Sequence, residues 1–464
     1  MGCNVIWFRR DLRLADHAAL QEGVRRGAVL PLFILDPALL FHPETGVARV
    51  AFLLQSLRAL DADLRRRGGR LLLREGDPLQ ELIAVVKASG ASAVLAHTDH
   101  ERLVGRQRDA AVAERLAREH IPLEWFEPPG GCPALLPYPA WSEHWQTAMA
   151  QAPLPAPRRL QVPTPTAALP DAPVPSLEAL GLRPDGKPLP PGGSAAALAR
   201  LEAFCQGPAS RRYYWELSYP AARATSGLSP YLKFGVISPR QCIQRLQTLL
   251  AGLSSGHDPQ ARSARQLASR LRWGAAMHQR FRYLPQLELR SLWTSYDAPE
   301  HSGGPDGLAL PPLTARAQEL YERWQQGCTG FPIVDAAARC LVAEGGWLEL
   351  NFRSRAIYAS FLANLCGIDW RWGALHFMRH LIDGDCPIDH YQWAMQAGVT
   401  VRGSGAWTRI YHPGQVAVDR CDPQGEFIRR WLPELAELTN DQLGQPPAMA
   451  AYPAPVLDYE SARR

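Results

Sequence analysis

The chain has 464 residues, 46% of them hydrophobic and 20% charged, with a formal net charge of +5. That length exceeds one compact core, so two or three domains of a soluble globular protein are expected. No run of about eighteen apolar residues is present and the N-terminus lacks the apolar core of a signal peptide, which excludes a membrane span and points to the cytoplasm.

The nine cysteines are scattered without a CxxC pair. They signal neither a disulfide framework nor a zinc or iron–sulfur centre, and no metal is expected. The pI of about 8.7 is mildly basic and compatible with nucleic acid.

In chain order, the first part alternates strand and helix. VIWFRR, VLPLFILD, RLLLREG, AVLAHTD and PLEWFE are β-rich runs. Between them lie helical stretches such as VARVAFLLQSLRALDADLRRRG, PLQELIAVVKAS and GRQRDAAVAERLAREH. This order predicts an α/β domain with a doubly wound parallel sheet over residues 1–128. No GxGxxG follows the first strand, so a dinucleotide fingerprint is absent. Ligands can still sit at the carboxyl ends of the strands.

Residues 129–193 are rich in proline and read as a long irregular connector, with SLEALG as one short helix. Residues 194–464 read as an all-α domain, from AAALARLEAFCQ through FRSRAIYASFLANLCG to GALHFMRHLID. Ser238 is expected to cap a helix whose first residue is Pro239.

Four features could carry chemistry. Thr225, Ser226, Gly227 and Ser229 place hydroxyls and a glycine before a short helix, which suits a phosphate or serves as a plain helix cap. Arg355 lies on an apolar helix, and Asp383 and Asp385 follow another. A charge on an apolar helix needs a partner, and an Arg355–Asp383 pair would satisfy both. DGDCPIDHYQWAMQAG, residues 383–398, groups acids, a histidine, a tyrosine and a tryptophan, as a reaction centre or a loop would. The segment around residues 259–287 carries Arg262, Arg265, Arg270, Arg272, Arg280 and Arg282 with Trp273, a combination that holds phosphates and stacks a base, or forms a solvated basic helix.

Together these blocks resemble the photolyase/cryptochrome family of FAD-containing blue-light flavoproteins over nearly the full length. WFRRDLRLADHAAL, TSGLSPYLKFGVISPRQC, WQQGCTGFPIVDAAARCL, GIDWRWGALHFMRHLIDGD and DPQGEFIRRWLPEL carry the resemblance. It implies an antenna domain followed by a helical FAD-binding domain. It places Tyr213, Thr225, Ser226, Gly227, Leu228 and Ser229 at the FAD phosphates and sugar, and Phe352, Arg355, Asp383, Gly384 and Asp385 at the flavin. Trp273 and Trp393 match the two tryptophan walls of the substrate cavity, with Arg270 and Arg280 facing substrate or DNA. The implied activity is light-driven repair of pyrimidine dimers in UV-damaged DNA by a monomer. The alternative is a photoreceptor with a signalling partner and no repair.

The chain departs from the pattern at several points. The family usually has a basic residue where Gly227 stands. Its dimer-binding Glu is Arg270 here, and its Asn on the Arg355 helix falls at Phe352, with WLELNFR two residues longer than in many members. In the three-tryptophan relay, Trp370 matches the middle member, while Tyr391 takes the flavin-proximal position and Thr314 lies near the outer one. Trp393 and Trp347 are alternative electron carriers. Asp389 is placed to protonate flavin N5, with Pro387 at that offset in a second alignment and His390 as another donor. The folate-binding Asn–Glu pair corresponds to Val104 and Gly105, so a folate antenna is disfavoured; a deazaflavin, a flavin or no antenna stay open.

Overall fold

A computed structural model describes residues 3–163, 169–293, 308, 310–400 and 410–463. The chain forms two compact units: Met1–Asp185, Leu189–Gly207 and Leu228–Pro285 make the first, and Gly186–Pro188, Pro208–Gly227 and Gln286–Arg464 the second.

The first unit holds five strands, β1 (Cys3–Phe8), β2 (Ala28–Leu35), β3 (Leu72–Glu75), β4 (Ala91–His97) and β5 (Leu123–Phe126). They form one sheet of order β3-β2-β1-β4-β5, and every pairing is parallel. Helices α1 (Ala18–Arg26), α2 (Val47–Arg65), α3 (Pro78–Ser89) and α4 (Leu103–Arg118) connect the strands. Val5, Trp7, Leu32 and Val94 are buried in its core, as the apolar runs of a parallel sheet require.

The expectation for residues 129–193 needs correction. Helix α5 (Tyr138–Ala150) lies inside the supposed connector. Trp141, Trp145 and Met149 recur every four residues along it, so they share one face. That face is buried with Ile243 of α6 (Pro239–Ala251) and Ala276 of α7 (Pro259–Tyr283). SLEALG forms only a 3₁₀ turn, Glu178–Leu180. The Ser238 cap is present as a full capping box, with Pro239 opening α6.

The second unit is helical: α8 (Ala315–Gln326), α9 (Pro332–Glu344), α10 (Phe352–Ser360), α11 (Trp370–His380), α12 (Cys386–Gln396) and α13 (Glu426–Trp431) carry the residues of interest. A π-helical turn, Phe361–Leu365, extends α10. Trp324, Tyr358, Phe361 and Phe427 are among its fully buried side chains. The acid- and aromatic-rich stretch is mostly helix α12, not a loop. Gly373 lets α11 approach it, because a Cβ there would lie 2.2 Å from the Trp393 ring. Among the described residues no helix is long and apolar enough to cross a membrane.

Candidate functional site

The helical unit brings Arg355 and Asp383 together. Nη2 of Arg355 lies 3.5 Å from Oδ2 of Asp383. The guanidinium is also held from behind: Nε donates to the Leu350 carbonyl at 2.7 Å and Nη2 to the Gly346 carbonyl at 2.9 Å. Asn351 caps α10, its Oδ1 accepting from the backbone of Arg353 and Ser354, which fixes the helix start at Phe352, three residues before Arg355. Oδ1 of Asp383 is buried and has no hydrogen-bond partner among the described residues. Gly384 and Asp385 follow, and Asp385 is buried. Phe352 opens α10 and is 45% exposed.

The proposed phosphate loop lies partly in the same unit. Tyr213 is buried on the helix Ala209–Glu216. Thr225 Oγ1 donates to the Leu348 carbonyl at 3.4 Å, Ser226 is buried, and Gly227 has φ +64°. That left-handed turn favours glycine. Buried Leu228 and exposed Ser229 begin the first unit's third segment, at the short helix Ser229–Lys233.

The aromatic residues form two groups. Trp370 is buried at the start of α11; its indole N–H donates to Ser291 Oγ at 3.1 Å, and its ring stands edge-on to the His390 imidazole at 5.8 Å. Buried Tyr391 lies on α12 beside His390. Asp389 is buried too, with Oδ2 3.5 Å from His390 Nδ1. Trp393 belongs to the other group: its ring lies 5.0 Å from Phe377 and 6.2 Å from Trp324, which stacks on Tyr358 at 4.1 Å. Trp324 Nε1–H donates to the Tyr358 carbonyl at 3.0 Å, which fixes the stack. Burial holds the Tyr358 hydroxyl well above its ordinary pKa, and burial first, then His380, holds the neighbouring His376 well below its own. Both are therefore neutral near pH 7.

Thr314, near the outer relay position, caps α8, its hydroxyl accepting from the Ala317 backbone, and it has no ring to carry an electron. Nothing local in the sequence marks Trp324 and Tyr358 as partners. Their signal was only a buried-looking aromatic on each of two helices, which is the usual mark of packing.

In the first unit, α7 carries the expected basic face. Arg262, Arg265 and Arg280 are exposed, Arg270 and Arg272 are half-buried, and Trp273 is 42% exposed. Arg282 is different: Glu127 takes its two terminal nitrogens at 2.8 and 2.9 Å, so it secures α7 instead of facing outward. A cavity opens at the carboxyl ends of β1 and β2, beside the point where the strand order reverses. Trp7, Phe33 and Ile34 give it an apolar wall, and Arg9, Arg102 and Lys233 a charged one.

Comparison with known proteins gives the family. Residues 4–128 match the family model described as DNA photolyase, and residues 267–464 the one described as FAD binding domain of DNA photolyase. The chain is 33% identical to a deoxyribodipyrimidine photo-lyase of Synechococcus sp., over 98% of this chain and 93% of that one. It is 31% identical to a cryptochrome DASH of Natronomonas pharaonis, over 99% of both. Among solved structures, a class III photolyase from Agrobacterium tumefaciens superposes with a TM-score of 0.82 at 27% identity, covering 100% of this chain and 96% of that one. An α/β sheet unit, a helical FAD-binding segment and full-length similarity to both branches place the chain in the photolyase/cryptochrome family of FAD-containing flavoproteins.

Proposed function

We propose that this chain is a cytoplasmic deoxyribodipyrimidine photolyase that binds UV-damaged DNA and splits pyrimidine dimers under blue light. The observation that carries the reading is α7. Its 25 residues contain no carboxylate and, besides the Arg282 held by Glu127, five arginines, with a half-exposed tryptophan among them. Such a face neutralises phosphates and offers a stacking surface to a base turned out of the duplex.

The residues fit FAD. Thr225 and Ser226 offer hydroxyls to phosphates around the left-handed Gly227, and Tyr213 lies on the helix before them. Arg355 supplies a donor and Asp383 an unpartnered buried acceptor for the polar edge of a flavin. When bound and reduced, FAD supplies the light-excited electron that opens the dimer.

The protein's own part is positioning and charge. Two backbone carbonyls hold Arg355 in place while Asp383 balances its charge. Asp389 is the proton carrier on α12, with His390 beside it. Trp370, whose ring meets His390, and Tyr391 on the same helix as that histidine would carry electrons on one route, and Trp393 beside Trp324 would begin another. Half-exposed Trp273 offers a stacking wall for the lesion, with Arg270 and Arg280 toward substrate and DNA, whereas Trp393, expected as the second wall, is buried against Phe377 and Trp324. The cavity at the carboxyl ends of β1 and β2 suits a planar antenna chromophore with a polar rim.

A photoreceptor is the second reading. Arg270, exposed Phe352 and Tyr391 favour it: Arg270 puts a cation where a pyrimidine would meet an acceptor, Phe352 stands where the family has an asparagine, and Tyr391 replaces a relay tryptophan. The experiment is direct. Pre-reduced protein is mixed with an oligonucleotide carrying a cyclobutane dimer, illuminated with blue light and compared with a dark control. Chromatographic recovery of thymine supports repair. A protein that has bound and reduced FAD yet returns no thymine supports the photoreceptor.

A further inference from the structure

We propose that Arg223 is the cation that holds the FAD diphosphate in this chain, and that the buried carboxylate of Glu349 positions it. The inference rests on the cofactor reading above and names a residue that reading does not use. A diphosphate is anionic on both phosphates and binds best where a fixed cation meets it. The segment from Thr225 to Ser229 offers hydroxyls and backbone N–H groups but no cation. Arg223 stands two residues before it.

Arg223 has a left-handed backbone, φ 46° and ψ 33°, which a residue with a side chain adopts rarely. Such a conformation persists only where the surroundings hold it. Glu349 does so. Its side chain is 0% exposed, and its Oε1 takes both Nε and Nη2 of Arg223. Arg430 of α13 reaches the same oxygen at 2.5 Å, and the Trp431 indole donates to Oε2 at 3.1 Å. Glu344 lies 3.9 Å from Arg223 Nη2. The residue before Glu349 grips the loop as well, because the Leu348 carbonyl accepts from Thr225. One short segment thus fixes residues 223 and 225 together.

The guanidinium is held along one edge only. Its side chain is 50% exposed, and Nη1 makes no hydrogen bond among the described residues. A planar fork anchored on one side by a buried carboxylate presents its other side in a fixed direction, the geometry that phosphate oxygens accept. Arg223 is a binding residue in this scheme and Glu349 a positioning residue.

The test uses the full chain stripped of flavin and titrated with FAD and with riboflavin, which has no phosphate, by flavin fluorescence at two salt concentrations. Arg223→Gln should raise the FAD dissociation constant roughly 10- to 100-fold and leave riboflavin binding unchanged. Glu349→Gln should show the same selectivity with a smaller loss, and Arg223→Lys should recover part of the affinity. Arg223→Gln should also flatten the salt dependence of FAD binding, which a purely structural defect would not do, while Glu349→Gln, which keeps the cation, should not flatten it. Equal losses for both flavins, or full FAD affinity in Arg223→Gln, would overturn the assignment. Wild-type protein that takes up no FAD would instead bring down the cofactor reading, and this assignment with it. Thermal melts of the flavin-free variants identify a folding failure, and if Arg223→Gln does not fold, the Arg223→Lys and Glu349→Gln titrations decide.

Discussion

Asp383 is where a single atom has the largest expected effect. Its Oδ2 balances Arg355 while its Oδ1 is buried without a partner among the described residues. Asp383→Asn removes the charge and leaves Arg355 held by two carbonyls but uncompensated. We expect FAD retention to fall roughly tenfold, read as flavin released on dilution. Equally tight FAD would show that the pair does not face the cofactor. His17 is buried in the first unit and titrates far from its ordinary range. Its Nδ1 accepts from the Leu20 backbone and its Nε2 lies 3.0 Å from Asp11, which His97 also contacts at 2.7 Å. Burial first, and then His97 and Arg13, lowers its pKa from 6.5 to about 4, against the opposing pull of Asp11. The unfolded chain therefore binds the extra proton between pH 6.5 and 4. Stability from this group is complete above pH 6.5 and is lost as pH falls toward 4, by roughly 3 kcal/mol at most. His100, lowered to about 4 by burial and by Arg282 and Arg106, acts in the same direction. Melting temperature should drop across that window, and His17→Asn, which can still cap α1, should show a shallower drop.

Elements decide which aromatic side chains can exchange electrons. Helix α11 starts with Trp370, and α12 carries His390, Tyr391 and Trp393 on successive faces. Trp370 meets the His390 ring, while Trp393 turns toward Trp324 and Tyr358. Trp370→Phe should slow light-driven reduction of the cofactor severalfold, followed as bleaching of the flavin absorbance. If its kinetics are unchanged while Trp324→Phe is slow, the route runs through Trp393 instead. Both substitutions keep an aromatic ring in a buried place, so the fold should persist. At this scale α5 also shows what local composition conceals. Proline on both sides suggested an irregular connector, but tryptophans at four-residue spacing gave one face enough area to bury.

The whole molecule joins a basic helix to an FAD-binding segment in a family whose relatives act on DNA or carry cryptochrome names. If α7 faces the duplex, affinity must depend on salt through the phosphates it neutralises. Arg265→Gln and Arg280→Gln should each lower the slope of log affinity against log salt by about 1, with little change in preference for damaged over intact DNA. Arg282→Gln should behave differently. It breaks the Glu127 pair and should destabilise α7, leaving the slope nearly as it was. An unchanged slope in the first two variants would remove this face from the DNA interface.

The order of elements was legible from the sequence because apolar periodicity is local. The five strands, the helix Pro78–Ser89 to the residue, and the Ser238 cap all follow from residues within a turn or two of each other. Family membership was legible because several blocks recur in order. The Arg355–Asp383 pair could be named because an apolar helix with one charge demands a partner, and here the partner was found. Other properties depend on residues far apart in the chain. Nothing near Glu349 announces that Arg223 and Arg430 converge on it, or that Trp431 completes its shell. Nothing near Arg282 announces Glu127, and nothing near Trp393 announces Trp324. Charges and rings act over a few ångströms of space, and only the folded chain determines which of them share that space.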